Sequence, residues 1–251
     1  MRTLGRSLPA ADFFTLQRFL EKPPANDVLP AAQLDSLKND VAVKLLACEH
    51  LPDDFSRRFI AMASNDALGP VWQNYTLQLL DSLWLRDERP ETRHEIIKTL
   101  TAATCDTRPT ISGVALLTLS RLVEKECAST GNASPIGASP QPVPSRSELG
   151  ALALAVLQRK EAPSQDKVTA LAVASECGDT CAPAVLSLAR KWASNKTLPG
   201  MQRITAFSVL GRHGDTRDLP ILETERNSTD FRLKKASRAA IIKIQTLNRK
   251  P

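Results

Sequence analysis

Apolar residues recur every three or four positions along most of this chain, and no long stretch alternates between apolar and polar residues. The clearest apolar stripe lies in segment 31–50 and consists of Leu34, Leu37, Val41, Leu45 and Cys48. Spacing of this kind is typical of amphipathic helices that bury one face, whereas half-buried strands alternate at every second residue. The sequence therefore predicts an all-α fold.

Prolines and capping residues divide this pattern into twelve predicted helices. The helices are expected near 9–21, 31–50, a segment ending at 63, 70–86, a segment starting at 90, 111–127, 148–160, 165–177, 183–194, 200–213, 218–226 and 230–247. Ser7 is the predicted cap of the first helix, and Asp53 or Asp54 that of the third. Leu45 and Leu80 are predicted to lie in the core.

The helix predicted at 70–86 is apolar over much of its circumference. Its apolar residues include Val71, Trp72, Tyr75, Leu79, Leu80, Leu83 and Trp84. A stripe of that width is expected in a helix that is covered on two sides. In the helix predicted at 111–127, the inward residues are Val114, Leu117 and Leu122.

Two segments of the C-terminal half are similar to each other. Residues 167–179 and 203–215 share the spacing of their apolar positions and both end in Gly-Asp, with Gly178 matching Gly214 at an offset of 36 residues (214 − 178). Each glycine follows a last helical turn, where a left-handed backbone closes a helix without steric cost from a Cβ atom. A third copy begins at Phe231 without the Gly-Asp ending. This period is typical of stacked two-helix repeats.

The repeat resembles bacterial HEAT-like repeats of the PBS-lyase type, whose second helix reads Arg-x-x-Ala-x-x-x-Leu-Gly-x-x-Gly-Asp. The residues that fit this pattern are Arg203, Ala206, Leu210, Gly211, Gly214 and Asp215. Segment 167–179 fits it in part, and the resemblance covers roughly 166–244. It implies a right-handed α-solenoid of about six antiparallel helix pairs with a binding role, and it implies no particular substrate or cofactor.

Segment 128–146 is rich in proline, serine and glycine, so it is predicted to be a loop or a linker. It separates N-terminal helical repeats at 1–127 from C-terminal HEAT-like repeats at 147–251. The helical pattern resumes at once at Ser147, which favours a loop within one continuous stack over a linker between two stacks.

Charge is distributed unevenly along the chain. Residues 1–128 contain 15 Lys/Arg and 17 Asp/Glu, a net charge of −2. Residues 129–251 contain 18 Lys/Arg and 10 Asp/Glu, a net charge of +8. The last predicted helix presents a candidate basic contact face formed by Arg232, Lys234, Lys235, Arg238 and Lys243. Such a face is either a solvated helix surface or a contact for an acidic protein, a nucleic acid or an anionic surface.

Five cysteines leave at least one without an intramolecular disulfide partner. Cys177 and Cys181 flank a tight turn and are predicted to form a disulfide if the protein is exported. The predicted up-and-down arrangement also places Cys127, Cys177, Cys181 and His213 near one edge. Separate structural thiols and, with less support, a zinc site of three cysteines and a histidine are the alternatives.

The sequence contains no His-Glu-x-x-His, Walker or Gly-x-Gly-x-x-Gly motif and no neighbouring Ser, His and Asp set. No catalytic, cofactor-binding or metal-binding residues are therefore predicted. The expected function is a non-catalytic scaffold that binds a protein or peptide. The alternative is a nucleic-acid-binding or DNA-modifying HEAT-repeat protein that uses the basic C-terminal face.

Membrane insertion is not expected, because the chain lacks a run of 18 apolar residues. The N-terminal residues also lack the apolar core of a signal peptide. The family resemblance favours an exported, periplasmic mature chain whose leader has been removed.

Overall fold

The computed structural model describes residues 7–22, 29–130, 143–178 and 182–247. These residues form twelve α-helices and two short 3-10 turns, Asp66–Leu68 and Thr216–Asp218, and contain no strand. The helices are Ala10–Glu21 (α1), Ala31–Leu46 (α2), Phe55–Ala63 (α3), Pro70–Arg86 (α4), Pro90–Ala103 (α5), Ile111–Thr130 (α6), Arg146–Gln158 (α7), Ser164–Glu176 (α8), Ala182–Ser194 (α9), Gly200–His213 (α10), Leu219–Glu223 (α11) and Phe231–Leu247 (α12). The predicted all-α class is confirmed.

Proline sets the start of many helices. It is the residue before α1, α2, α8 and α10, and it occupies the first turn of α4, α5 and α11, where a missing N–H costs no hydrogen bond. The predicted capping role of Ser7 is wrong, because Pro9 is the N-cap and no side chain caps α1. Asp54 is the N-cap of α3, but its carboxylate pairs with Arg58 at 3.2 Å instead of capping the backbone.

Two helix boundaries differ from the prediction for identifiable reasons. Helix α7 starts at Arg146 rather than 148, because Ser145 and Glu148 form a capping box. Helix α2 ends at Leu46 rather than 50. The Arg86 guanidinium, at the end of α4, instead satisfies the backbone carbonyls of Cys48 and Glu49.

Helix packing follows an alternating order along the chain. Each odd-numbered helix packs against the even-numbered helix that follows it, and α2, α4, α6, α8, α10 and α12 also pack against one another in sequence. Among the odd-numbered helices, α3 packs on α5 and α9 on α11. Helix α6 contacts both α7 and α8, so packing continues across the chain segment that precedes α7. That segment, 131–142, lies outside the described residues.

Several hydrogen bonds between neighbouring helix pairs join residues 35 to 38 positions apart, whereas others span different intervals, such as 28 residues for Arg190–Asp218 and 53 for Arg159–Asp106. The separation is 37 residues for Arg58–Glu21, 38 for Arg86–Cys48, 36 for Arg89–Asp53, 35 for Arg108–Gln73, 36 for Asn74–Thr110 and 36 for Arg212–Glu176. These intervals match the offset of 36 residues between the two similar segments of the sequence. Equivalent loops and helix ends therefore meet from one helix pair to the next.

The core contains both leucines that the sequence places there, since Leu45 and Leu80 are fully buried. Trp72, Trp84 and Trp192 are buried as well. Three residues predicted to be buried are exposed instead: Leu37 by 42%, Val71 by 51% and Leu117 by 41%. The apolar pattern therefore identifies the helices correctly but misplaces part of their buried faces.

Lys38 explains the error in α2. Its side chain is buried, with the ammonium group 5.6 Å from the centre of the Trp72 ring and 3.8 Å from the Asp35 carboxylate. This arrangement combines a cation–π contact with a nearby opposite charge. The buried face of α2 therefore runs through Lys38 and Ala42 to Leu45, and Leu37 lies outside it.

The two motif glycines serve different purposes. Gly178 has a φ of +92° and confirms the predicted left-handed end of α8. The same prediction is wrong for Gly214, which is extended with φ −78° and ψ 176°. A Cβ atom at Gly214 would collide with the Leu210 backbone oxygen and approach the Asp218 carboxylate to 2.6 Å, so close packing requires this glycine.

Gly211 allows α10 and α12 to pack closely, because a Cβ atom there would lie 2.8 Å from the Cα atom of Ala240. We expect Gly211→Leu to lower the free energy of unfolding by about 1–3 kcal/mol through overpacking. The exposed Ser208→Leu variant on the same helix is the control and should change it by less than about 0.5 kcal/mol. Urea unfolding measures both, and equal losses would show that α10 and α12 are not held at this distance.

Candidate functional site

The five residues of the predicted basic face all lie on α12. Arg232, Lys235, Arg238 and Lys243 are exposed, and Lys234 is half-buried. Within the described parts of the chain, none of the five forms an ion pair with an acidic side chain. The Arg238 guanidinium donates a hydrogen bond to the backbone oxygen of Arg226 at 3.1 Å. Helix α12 therefore presents positive charge that pairs with no carboxylate among the described residues. Arg232 and Lys234 are two residues apart and lie on opposite sides of the helix, so the five cations do not form one face.

Exposed apolar side chains lie on the same side of α12 as Lys235 and Arg238. Phe231 is 73% exposed and Ile242 is 63% exposed. Residues 231, 235, 238 and 242 are spaced by four, three and four, so they form one stripe along the helix. We call Phe231, Lys235, Arg238 and Ile242 the α12 stripe.

The α12 stripe points away from the helix packed beneath it. Ala240, which contacts Gly211 of α10, is two residues from Ile242 and thus lies on the opposite side of α12. A shallow pocket of about 350 Å³ opens beside the stripe and is lined by Arg226, Arg238, Ile241, Ile242 and Gln245.

A larger cleft, which the sequence did not predict, lies between α3 and α5. Its volume is about 600 Å³, and it is lined by Asp53, Asp54, Arg57, Ile60, Ala61, Ser64, Arg89, Glu91, Thr92, Glu95 and Thr99. We call it the α3–α5 cleft. The lining contains four carboxylates and two guanidinium groups, together with the buried Ile60 and the exposed Ala61 as apolar residues. We call these two residues the apolar floor. Glu91 and Glu95, one helical turn apart, are the sequence signal that could have drawn attention to it.

The buried Asp87 carboxylate holds the two helices of this cleft together. It accepts hydrogen bonds from the Ser56 hydroxyl on α3 at 2.5 Å and from the Thr92 hydroxyl on α5 at 3.1 Å. The Arg89 guanidinium, 2.6 Å away, holds the pKa of Asp87 well below its usual range despite the opposing effect of burial. The same arginine donates to the backbone oxygen of Asp53 at the mouth of the cleft.

This Asp-x-Arg arrangement recurs in two other loops. Asp106 accepts from the backbone N–H of Arg108 at 2.8 Å and from its guanidinium at 2.5 Å. The corresponding distances between Asp215 and Arg217 are 2.8 and 2.6 Å. The hydrogen bonds from Arg108 and from Arg217 lower the pKa of Asp106 and Asp215, in the latter case to about 2. The motif stabilises loop conformations, and its recurrence indicates a structural rather than catalytic role.

Asp166 is a second buried carboxylate, and it joins α8 to the N-terminal end of α6. One of its oxygens would lie only 2.7 Å from a Cβ atom at Gly113. Burial raises the pKa of Asp166, and the Ser112 side chain and the backbone of Gly113 partly oppose that rise. With about 1% of its surface accessible, Asp166 has no route to a substrate and serves helix packing.

The predicted proximity of Cys177 and His213 is confirmed. Both line a pocket of about 450 Å³ beside the ends of α8 and α10, where Arg212 pairs with Glu176 at 2.8 Å. The Cys177 thiol donates a hydrogen bond to the Val173 backbone oxygen at 3.2 Å. Cys181 lies outside the described residues, so the disulfide with Cys177 stays a prediction.

In the part of the chain that the structure describes, no group of three or more His, Cys, Asp and Glu side chains is arranged to hold a metal ion. No helix among the same residues is long and apolar enough to cross a membrane. No protein-family model matches the chain, and no curated protein matches it either.

Proposed function

We propose that this protein is a non-catalytic scaffold of HEAT-like repeats that binds an acidic protein or peptide. In this proposal, about six antiparallel helix pairs form a right-handed α-solenoid, and the α12 stripe is the main contact surface. The observation that carries it is the combination of exposed cations and exposed apolar side chains on α12.

The solenoid is supported by the order of helix contacts. Each even-numbered helix packs on the next even-numbered helix, as expected when helix pairs stack in one direction. The recurring interval of 35 to 38 residues between hydrogen-bonded partners is consistent with repeats of this length. Repeat stacks of this kind present extended surfaces, which favours a binding role over a deep catalytic pocket.

An acidic partner is favoured by the charge of α12. Helix α12 contains five Lys and Arg residues and no acidic residue. An uncompensated positive surface attracts a negative partner and increases its association rate. The exposed Phe231 and Ile242 favour a protein or peptide, because apolar anchors at the centre of an interface supply much of its binding energy.

Nucleic-acid binding is the second candidate, and the same cations favour it. Phosphate contacts need positive charge but gain little from exposed apolar side chains, and their affinity falls steeply with salt. Replacing Phe231 and Ile242 should therefore weaken the binding of a peptide but not that of a nucleic acid.

The test compares two fluorescent probes, a synthetic Glu/Leu amphipathic peptide and a short DNA duplex, by anisotropy. We expect the peptide to bind, and we expect Phe231→Ser with Ile242→Ser to weaken peptide binding by about tenfold or more. Phe14→Ser, which removes an exposed aromatic residue from α1, is the control and should leave binding unchanged.

Two results would contradict the proposal. Absence of peptide binding by the unaltered chain would exclude an acidic peptide partner of this chemistry. Nucleic-acid binding would be established instead if the chain bound the duplex more tightly than the peptide, if salt abolished that binding, and if the Phe231→Ser with Ile242→Ser variant bound the duplex equally well.

A further inference from the structure

The α12 stripe and the α3–α5 cleft have complementary chemistry. The stripe combines two cations, Lys235 and Arg238, with two exposed apolar side chains. The cleft has an apolar floor, and its rim carries Asp53, Asp54, Glu91 and Glu95 against Arg57 and Arg89. Arg89 is engaged by Asp87 at 2.6 Å and Asp54 by Arg58 at 3.2 Å. Asp53, Glu91 and Glu95 then remain against Arg57, so carboxylates dominate the charge that the cleft presents.

The two surfaces also match in length. The α12 stripe extends over twelve residues, from 231 to 242, which corresponds to about 16 Å along a helix. The cleft-lining segment from Asp54 to Ser64, the two caps of α3, corresponds to about 15 Å. A helix with anchors at positions i, i+4, i+7 and i+11 is the usual ligand of a groove between helices.

Packing keeps the two surfaces apart within one chain. Helix α12 packs on α10 and α11, whereas α3 packs on α4 and α5. Any contact between the stripe and the cleft is therefore expected to join two molecules. The charge balance along the chain favours the same contact, since residues 1–128 carry −2 and residues 129–251 carry +8.

We propose that the α12 stripe of one molecule docks in the α3–α5 cleft of a second copy of this chain. This inference rests on the proposed function, because it identifies the partner of α12 as another copy. Phe231 and Ile242 cover the floor at Ile60 and Ala61, and Lys235 and Arg238 pair with Glu91 and Glu95. The contact joins two different surfaces, so association is head to tail. One stripe and one cleft stay unoccupied at the two ends of the assembly unless a ring closes.

Sedimentation velocity tests the proposal over concentrations of about 1 to 300 µM. The unaltered chain is expected to increase in mass from the 27.4 kDa monomer as its concentration rises. Lys235→Glu with Arg238→Glu in one variant, and Glu91→Lys with Glu95→Lys in another, should each weaken this association by about tenfold or more. An equimolar mixture of the two variants should associate again, because the unaltered cleft of the α12 variant can bind the unaltered stripe of the cleft variant. The two reversed surfaces also carry opposite charge.

The control carries Lys160→Glu and Lys191→Glu, which change net charge as much as the α12 variant but lie on exposed positions of other segments. It should associate like the unaltered chain. Two results would overturn the proposal. One is an unaltered chain that stays monomeric at every concentration. The other is a mixture of the two charge variants that stays monomeric after each variant alone has lost association. If such a monomer still binds the Glu/Leu peptide, only the self-association is contradicted and the proposed function stands. If the monomer does not bind the peptide, both the self-association and the proposed function are contradicted.

Discussion

Asp87→Ala is expected to lower the free energy of unfolding by about 2–5 kcal/mol at pH 7, because each buried hydrogen-bonding group left without its partner costs about 1–3 kcal/mol. Asp87 is 7% exposed and accepts hydrogen bonds from Ser56, Arg89 and Thr92, which belong to α3, the α4–α5 loop and α5. Alanine would leave two buried hydroxyl groups without their acceptor and a guanidinium group without its carboxylate. Urea denaturation followed by circular dichroism measures the loss.

Asp215→Ala is the matched control for this substitution. Asp215 makes the same two contacts with Arg217 that Asp87 makes with Arg89, but its side chain is 39% exposed and water can replace those contacts. We expect the unfolding midpoint of this variant to remain close to that of the unaltered chain. Equal losses in the two variants would show that the loop motif itself, rather than the buried hydroxyl contacts of Asp87, stabilises the fold.

The contribution of Asp87 should depend on pH in a defined direction. Its folded-state pKa is depressed below the value of about 3.9 in an unfolded chain, chiefly by the hydrogen bond from Arg89. The stabilisation is therefore complete well above that unfolded value and is lost as pH falls toward the folded-state pKa. The difference between the unaltered chain and Asp87→Asn should accordingly shrink between about pH 5 and pH 2. A difference that is constant over this range would contradict the assignment.

Helix positions could be predicted from the sequence because the signals that define them are local. Proline in the first turn, polar segments between apolar stripes and the three-to-four spacing place α4 at Pro70–Arg86 and α10 at Gly200–His213. The buried face of a helix is less predictable when a charged residue enters it. Lys38 is buried only because Trp72 and Asp35 accommodate its ammonium group, and Trp72 belongs to another helix.

The candidate surfaces differ in the same way. The cations of α12 belong to one helix, so helical spacing alone shows that Lys235 and Arg238 share a side of it. The α3–α5 cleft is formed by side chains about 36 residues apart, such as Arg89 and Asp53, whose meeting depends on how two helix pairs stack. Spacing within one segment carries no information on that contact, and the sequence therefore did not predict the cleft.

Leu80→Ala is expected to lower the free energy of unfolding by about 2–5 kcal/mol, because it leaves a cavity in a region that relaxes only partly. Leu80 is fully buried in α4, and this helix packs against α2, α3, α5 and α6. Leu45 in α2 is equally buried, and Leu45→Ala should give a loss in the same range. Urea unfolding by circular dichroism and tryptophan fluorescence measures both variants.

Leu85→Ala separates the effect of the cavity from that of the lost leucine. Leu85 lies in the same helix and is 59% exposed, so its replacement should change stability by less than about 0.5 kcal/mol. The helix propensities of the two variants are matched, because both exchange leucine for alanine within α4. Any excess loss for Leu80→Ala therefore reports packing between helices. Similar values for Leu80 and Leu85 would mean that α4 is not the covered central helix that its position between α2 and α6 requires.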